Sequence, residues 1–179
     1  MNNEVYFTFD FDYDMQALAD IVYSIDTWDS YIPPSWDESK YTIDNFTGVT
    51  YRYYEDLQNK EPIKTIREQL NFPYLDYKST QLLKFPPHNG PTIHKDSERE
   101  TALLIPIYTT EKYEPIKFYD DNLNEICSVD YSDKVIVFNA QVYHAVDNKL
   151  DNRFSLQFDL TESYKEIFNK YQKGEFFKC

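Results

Sequence analysis

Arg153-Phe154-Ser155-Leu156-Gln157-Phe158-Asp159-Leu160 alternates polar and apolar residues without a break. Successive side chains of a strand point to opposite faces. Phe154, Leu156, Phe158 and Leu160 therefore share one face, and Arg153, Ser155, Gln157 and Asp159 the other. The pattern predicts a β-strand with one apolar side. Its polar side opens with an arginine and a serine spaced to point the same way.

The same texture extends upstream. From about Thr80 the chain consists of short apolar runs separated by polar turns, with strands expected at 81–85, 92–95, 101–108, 116–119, 125–129, 134–139, 142–146 and 153–160. Strands at this spacing indicate a sandwich or barrel of antiparallel sheets. Residues 5–11 alternate Val5, Phe7, Phe9 and Phe11 with polar neighbours and read as one more half-buried strand. Asp14 is placed to cap a helix over 15–24, whose apolar face carries Leu18, Ile21, Val22 and Ile25. A second helix is expected near 62–70, with Pro62 at an early position. Residues 26–55 read as a long loop with one or two short strands. Ser163 and Glu166 have capping-box spacing and start a final helix with Tyr164, Ile167, Phe168 and Tyr171 on one face.

No repeat, low-complexity tract or linker interrupts this order. The expectation is a single domain over 1–179: a helical and strand support region at 1–79, a β-core at 80–160 and a C-terminal helix at 161–179. The fold class is mainly β with flanking α-helices. At 179 residues the chain can bury one full core. Aromatics make up 18% of it, with 17 Tyr and 13 Phe, a bias that favours strands.

A formal net charge of −13 repels phosphate backbones and anionic membranes, which excludes a general nucleic-acid binder. Cys127 and Cys179 are isolated, and form neither a disulfide framework nor a zinc site. The first residues lack a basic-then-apolar signal profile. No apolar run approaches the roughly 18–20 residues that span a bilayer. The expected setting is soluble and cytoplasmic.

The chain has three histidines, and two of them stand in a suggestive order: His94-Lys95-Asp96, then His144, then Arg153-Phe154-Ser155. His94 and Asp96 are two apart, so both can approach one ion from the end of a single strand while Lys95 faces away. Two imidazoles and one carboxylate suit a non-haem Fe(II) centre with open positions. The 50 residues from His94 to His144 leave room for four or five strands to wind round and return. The polar stretch Asn148-Lys149-Leu150-Asp151-Asn152 predicts a hairpin that sets Arg153 beside His144 on the adjacent strand. Arg153 and Ser155 would then point into the cavity of the metal ligands.

This ordered set resembles the signature of the Fe(II)/2-oxoglutarate-dependent oxygenases: His-X-Asp, a distal His, and an Arg some ten residues on, often as Arg-X-Ser. The segment from His144 through Asp159 looks like the aspartyl/asparaginyl β-hydroxylase branch. Phe85-Pro86-Pro87-His88-Asn89-Gly90 is closer to the prolyl hydroxylases, many of which carry a tyrosine where Phe85 stands. The resemblance covers about residues 80–160. It implies a double-stranded β-helix (a jelly-roll, cupin-like) with Fe(II) held by His94, Asp96 and His144. It also implies 2-oxoglutarate as co-substrate, its C5 carboxylate on Arg153 with help from Ser155. The implied reaction is hydroxylation of a C–H bond in an amino-acid side chain or small metabolite, with release of succinate and CO2. The partner would be a small-molecule or protein/peptide substrate. Two other readings fit the same residues: a cupin-like metalloenzyme that does not use 2-oxoglutarate, and a jelly-roll binding module with no metal.

Overall fold

The computed structural model describes residues 5–31, 50–53, 56–71, 77–87, 91, 93–96, 99–107, 115–130, 134–146 and 152–177. Among the described residues, ten strands and three α-helices follow in chain order: β1 (Tyr6–Phe9), α1 (Met15–Ser24), β2 (Asp29–Tyr31), β3 (Thr50–Tyr53), α2 (Ile63–Gln69), β4 (Tyr77–Phe85), β5 (Thr101–Ile107), β6 (Ile116–Tyr119), β7 (Glu125–Val129), β8 (Val135–Asn139), β9 (Tyr143–Val146), β10 (Arg153–Leu160) and α3 (Tyr164–Gln172). A 3-10 turn at Leu57–Asn59 precedes α2.

The strands form a seven-stranded sheet of order β1-β8-β5-β10-β4-β3-β2 and a three-stranded sheet of order β7-β6-β9. From β4 onward the chain crosses repeatedly between them. β4, β5, β8 and β10 lie in the large sheet, β6, β7 and β9 in the small one, and His94 bridges to His144 at the free side of β9. Every described strand pair is antiparallel. Two sheets wound together in this manner are a jelly-roll, or double-stranded β-helix.

Burial follows from the layering. All seven residues of β5 are buried, as expected of a central strand covered on both faces. Between the sheets lies one apolar cluster, which includes Leu83, Phe85, Ala102, Leu104, Phe118, Ile136 and Phe138. On the outer face of the large sheet a second cluster joins Leu82, Leu103, Ile105, Leu156 and Phe158 to Leu18 and Val22 of α1, Ile63 and Ile66 of α2 and Ile167 of α3. The apolar side of β10 belongs to this outer layer. Its polar side shares cross-strand positions with Leu83 and Phe85, so it faces the space between the sheets.

The helices form where local chemistry allows. Asp14 accepts a hydrogen bond from the Ala17 amide at 2.9 Å and starts α1. A full capping box between Ser163 and Glu166 starts α3. That helix is anchored by rings: Phe7 of β1 stacks on Tyr171 with centroids 4.4 Å apart and packs on Phe168 at 5.5 Å.

Three expectations change. The hairpin between β9 and β10 does not exist: β9 pairs with β6 in the small sheet, whereas β10 pairs with β4 and β5 in the large one. Residues 147–151, between these two strands, lie outside the described residues. The strand expected at 92–95 is only a bridge at His94, with Thr92 outside the described residues. β4 begins four residues earlier than expected, at Tyr77. Two short strands, β2 and β3, are found within 26–55; residues 32–49, 54 and 55 of that stretch, and the turn residues His88, Asn89 and Gly90, lie outside the described residues. No helix among the described residues is long and apolar enough to cross a membrane.

Ile167 is fully buried under the outer face of the large sheet. Ile167→Ala is expected to lower stability by about 2–5 kcal/mol. Ser163→Ala, which removes only the cap, should cost about 1 kcal/mol. Urea unfolding followed by circular dichroism measures both, and a smaller loss for Ile167→Ala than for Ser163→Ala would contradict this packing.

Candidate metal centre

His144 is placed by β9, where its cross-strand partner is Phe118 of β6. Its ring sits edge-on to Phe138 of β8, with centroids 5.0 Å apart, and is almost wholly buried. Nδ1 lies 2.9 Å from the carbonyl oxygen of Val142. A carbonyl can only accept, so Nδ1 carries the proton and Nε2 presents a lone pair. Burial, and then the neighbouring His94, push the imidazole pKa down to about 3 against the pull of Asp96. The ring is therefore neutral at ordinary pH, the form that binds metals.

His94 reaches the same place by backbone pairing. Its amide donates to the His144 carbonyl at 3.1 Å, and the His144 amide donates back at 2.9 Å. The two rings lie 4.4 Å apart, centroid to centroid. Asp96 follows outside any strand, with its amide donating to the Ala140 carbonyl at 2.9 Å. Its Oδ1 is 3.6 Å from His94 Nε2, and its Oδ2 is 3.7 Å from His144 Nε2. These separations exceed hydrogen-bond lengths. One donor atom from each of the three residues lies within 4.8 Å of the others, a grouping able to hold a metal ion. Lys95 turns away, its Nζ 2.8 Å from Asp121 and 4.3 Å from the centre of the Tyr143 ring.

Burial alone would raise the Asp96 carboxyl. The Arg99 guanidinium beside it, aided by the imidazoles, outweighs that and holds it well below the usual carboxylate range. Arg99 donates through Nε to Asp96 Oδ2 at 2.7 Å and through Nη1 to Asp159 Oδ1 at 2.6 Å. Burial works against its charge as well, but Asp96 and then Asp159 more than compensate and raise it further. Asp159 also accepts from Gln157 Nε2 at 2.6 Å, from Gln81 Nε2 at 3.0 Å and from Ser79 Oγ.

Arg153, Ser155, Gln157 and Asp159 thus line the inner face of β10, with Arg153 at one end and the Asp159 network at the other. Arg153 is fully buried, beside Phe85 on β4. Ser155 Oγ is also buried and has no hydrogen-bond partner among the described residues, and the same holds for Gln81 Oε1. A buried hydroxyl without a partner is costly unless a ligand or water completes it. Ser155 can donate to a carboxylate, and the Arg153 fork can hold one with two parallel bonds. The residues therefore fit a divalent ion at one end of this row and an acidic co-substrate along it.

The three side chains singled out as ligands meet, and Arg153 and Ser155 share the interior with His144, although not by way of a hairpin. Lys84 lies on the other face of the sheet, its Nζ 5.8 Å from the centre of the Trp28 ring. Asn139 caps the β8–β9 turn by accepting from the Gln141 amide at 3.0 Å. Sequence reasoning assigned no role to Asp159, Ser79 or Gln141. The signal for Asp159 was present: a carboxylate on the inner face of a central strand needs a buried cation.

Neither a comparison with protein-family models nor one with curated proteins finds a match. Comparison with solved structures does. The fold is that of the Fe(II)/2-oxoglutarate oxygenases. The chain superposes on a prolyl hydroxylase from Trichoplax adhaerens, solved with a hypoxia inducible factor peptide fragment. The TM-score is 0.61 at 10% identity, covering 87% of this chain and 83% of the other. A Pseudomonas putida prolyl-4-hydroxylase gives 0.60 at 13% identity, covering 88% and 92%. A viral collagen prolyl hydroxylase from Paramecium Bursaria Chlorella virus-1, solved with 2-oxoglutarate, gives 0.55 at 13% identity, covering 87% and 94%.

The depressed His144 pKa makes a prediction for the metal-free protein. Between about 3 and the ordinary 6.5 the unfolded chain takes up a proton at this position that the folded chain refuses. Stability from this group is complete above 6.5 and declines as pH falls. The urea midpoint should therefore drop between about pH 7 and about pH 5, and His144→Gln should flatten that drop. An equal slope in both proteins would refute the assignment.

Proposed function

We propose that this chain is an Fe(II)- and 2-oxoglutarate-dependent oxygenase. It hydroxylates a C–H bond of an amino-acid side chain or small metabolite, converting 2-oxoglutarate and O2 to succinate and CO2. The observation that carries this reading is the two-histidine, one-carboxylate cluster, together with the buried Arg153 and the Ser155 hydroxyl that has no partner among the described residues. Two imidazoles and one carboxylate leave coordination positions open, as non-haem Fe(II) oxygenases require. The likeness in fold to prolyl hydroxylases supports the same reading.

Each residue has a part. His94 and His144 offer Nε2, and Asp96 a carboxylate oxygen, to the metal. Arg153 grips the C5 carboxylate of the co-substrate in a fork that lysine cannot reproduce. Ser155 adds a hydroxyl donor. Phe85, where many prolyl hydroxylases have tyrosine, gives the Arg153 end an apolar wall and no phenolic hydrogen bond. Fe(II) with 2-oxoglutarate supplies the oxidising chemistry when bound, and the protein supplies positioning and a dry cavity.

Anaerobic titration tests the reading. The wild-type protein should bind Fe(II) and then 2-oxoglutarate, and release succinate when O2 is admitted. His94→Ala should lose the metal. Arg153→Ala should retain metal but weaken 2-oxoglutarate binding by about 2–5 kcal/mol. Metal binding with unchanged 2-oxoglutarate affinity in Arg153→Ala would point instead to a metalloenzyme that does not use it. Binding of neither would leave a jelly-roll binding module.

A further inference from the structure

Asp96 is the one member of the cluster that neither a strand nor a β-bridge holds. It lies in a connection between the His94 bridge and β5, yet a metal ligand must be held to within a fraction of an ångström. Building on the metal reading above, we propose that Arg99 and Asp159 form a part-buried clamp that positions the Asp96 carboxylate, with Gln141 fixing the backbone beneath it.

Arg99 Nε occupies Asp96 Oδ2 at 2.7 Å and so sets the plane of the carboxylate. That leaves Oδ1, 3.6 Å from His94 Nε2, as the oxygen that would be offered to a metal. Arg99 is in turn immobilised by Asp159. Both oxygens of Asp159 are filled: Oδ1 by Arg99 and Gln157, Oδ2 by Gln81 and Ser79. A carboxylate so saturated has no acceptor to spare for substrate; it serves as an anchor. Its other donors come from β4 and β10, two neighbouring strands of the large sheet paired along their length. The clamp thus ties a loop ligand to the middle of the large sheet. From the other side, Gln141 Nε2 donates to the Asp96 carbonyl at 2.8 Å and to the Arg99 carbonyl at 2.6 Å.

Charge supports the same role. One guanidinium between two carboxylates leaves these three groups with a single negative charge, which a divalent ion would reverse. An anionic co-substrate then meets a net positive centre. Arg99 and Asp159 touch neither ion nor substrate in this scheme; they act through Asp96.

The test is calorimetric titration with Co(II), together with its d–d absorption spectrum, on wild type, Arg99→Gln, Arg99→Lys, Asp159→Asn and Gln141→Ala. Groups that orient metal ligands typically cost about 10–100-fold in affinity when removed. Arg99→Gln and Asp159→Asn should lose affinity in that range and alter the Co(II) spectrum, with Arg99→Lys recovering part of both. If Asp159→Asn does not fold, Gln141→Ala, changed at an exposed side chain, should show a weaker loss in the same direction. Folded variants with wild-type affinity and spectrum would overturn the clamp while leaving the metal reading intact. A wild-type protein that binds no Co(II) would overturn both.

Discussion

β10 is buried on both faces, and half of its residues are polar. Most of this architecture answers that constraint. The outer, apolar face is satisfied by helices. The inner face places an arginine, a serine, a glutamine and an aspartate in a space otherwise filled by leucine, isoleucine and phenylalanine. Buried polar groups are tolerated only when partnered. Ser79, Gln81, Gln157 and Arg99 together complete Asp159. Ser155 finds no partner among the described residues, a gap that the proposed co-substrate would fill.

Much of the fold could be read in advance because its signals are local. The alternation over 153–160 reproduces β10 to the residue, and the short apolar runs at 116–119 and 125–129 match β6 and β7. The capping box found α3 because its two hydrogen bonds involve residues three apart. Pairing between distant strands is another matter. A polar stretch between two strands states that the chain turns, not whether the next strand pairs with the last or crosses to the opposite sheet. The expected β9–β10 hairpin failed for that reason, yet Arg153 still enters the same interior, because strands from both sheets face it.

The cluster itself was legible through residue type and order: a chain with three histidines spends two of them here. Its support was not. Arg99, Asp159, Ser79 and Gln141 are residue types common on any surface, and what distinguishes them is burial and mutual distance. Only the parity of Asp159 with Arg153 on β10 hinted that a second carboxylate lay inside. The three solved structures compared above share only 10–13% identity with the chain.

The central claim is that one cavity binds a metal through His94, Asp96 and His144 and a keto acid through Arg153. The most direct measurement is a crystal structure grown anaerobically with Mn(II) and an oxoglutarate analogue. The account predicts the ion on two imidazole nitrogens and one Asp96 oxygen, with the far carboxylate of the analogue on Arg153 and within reach of Ser155. An analogue seated elsewhere, or an ion bound without Asp96, would contradict it.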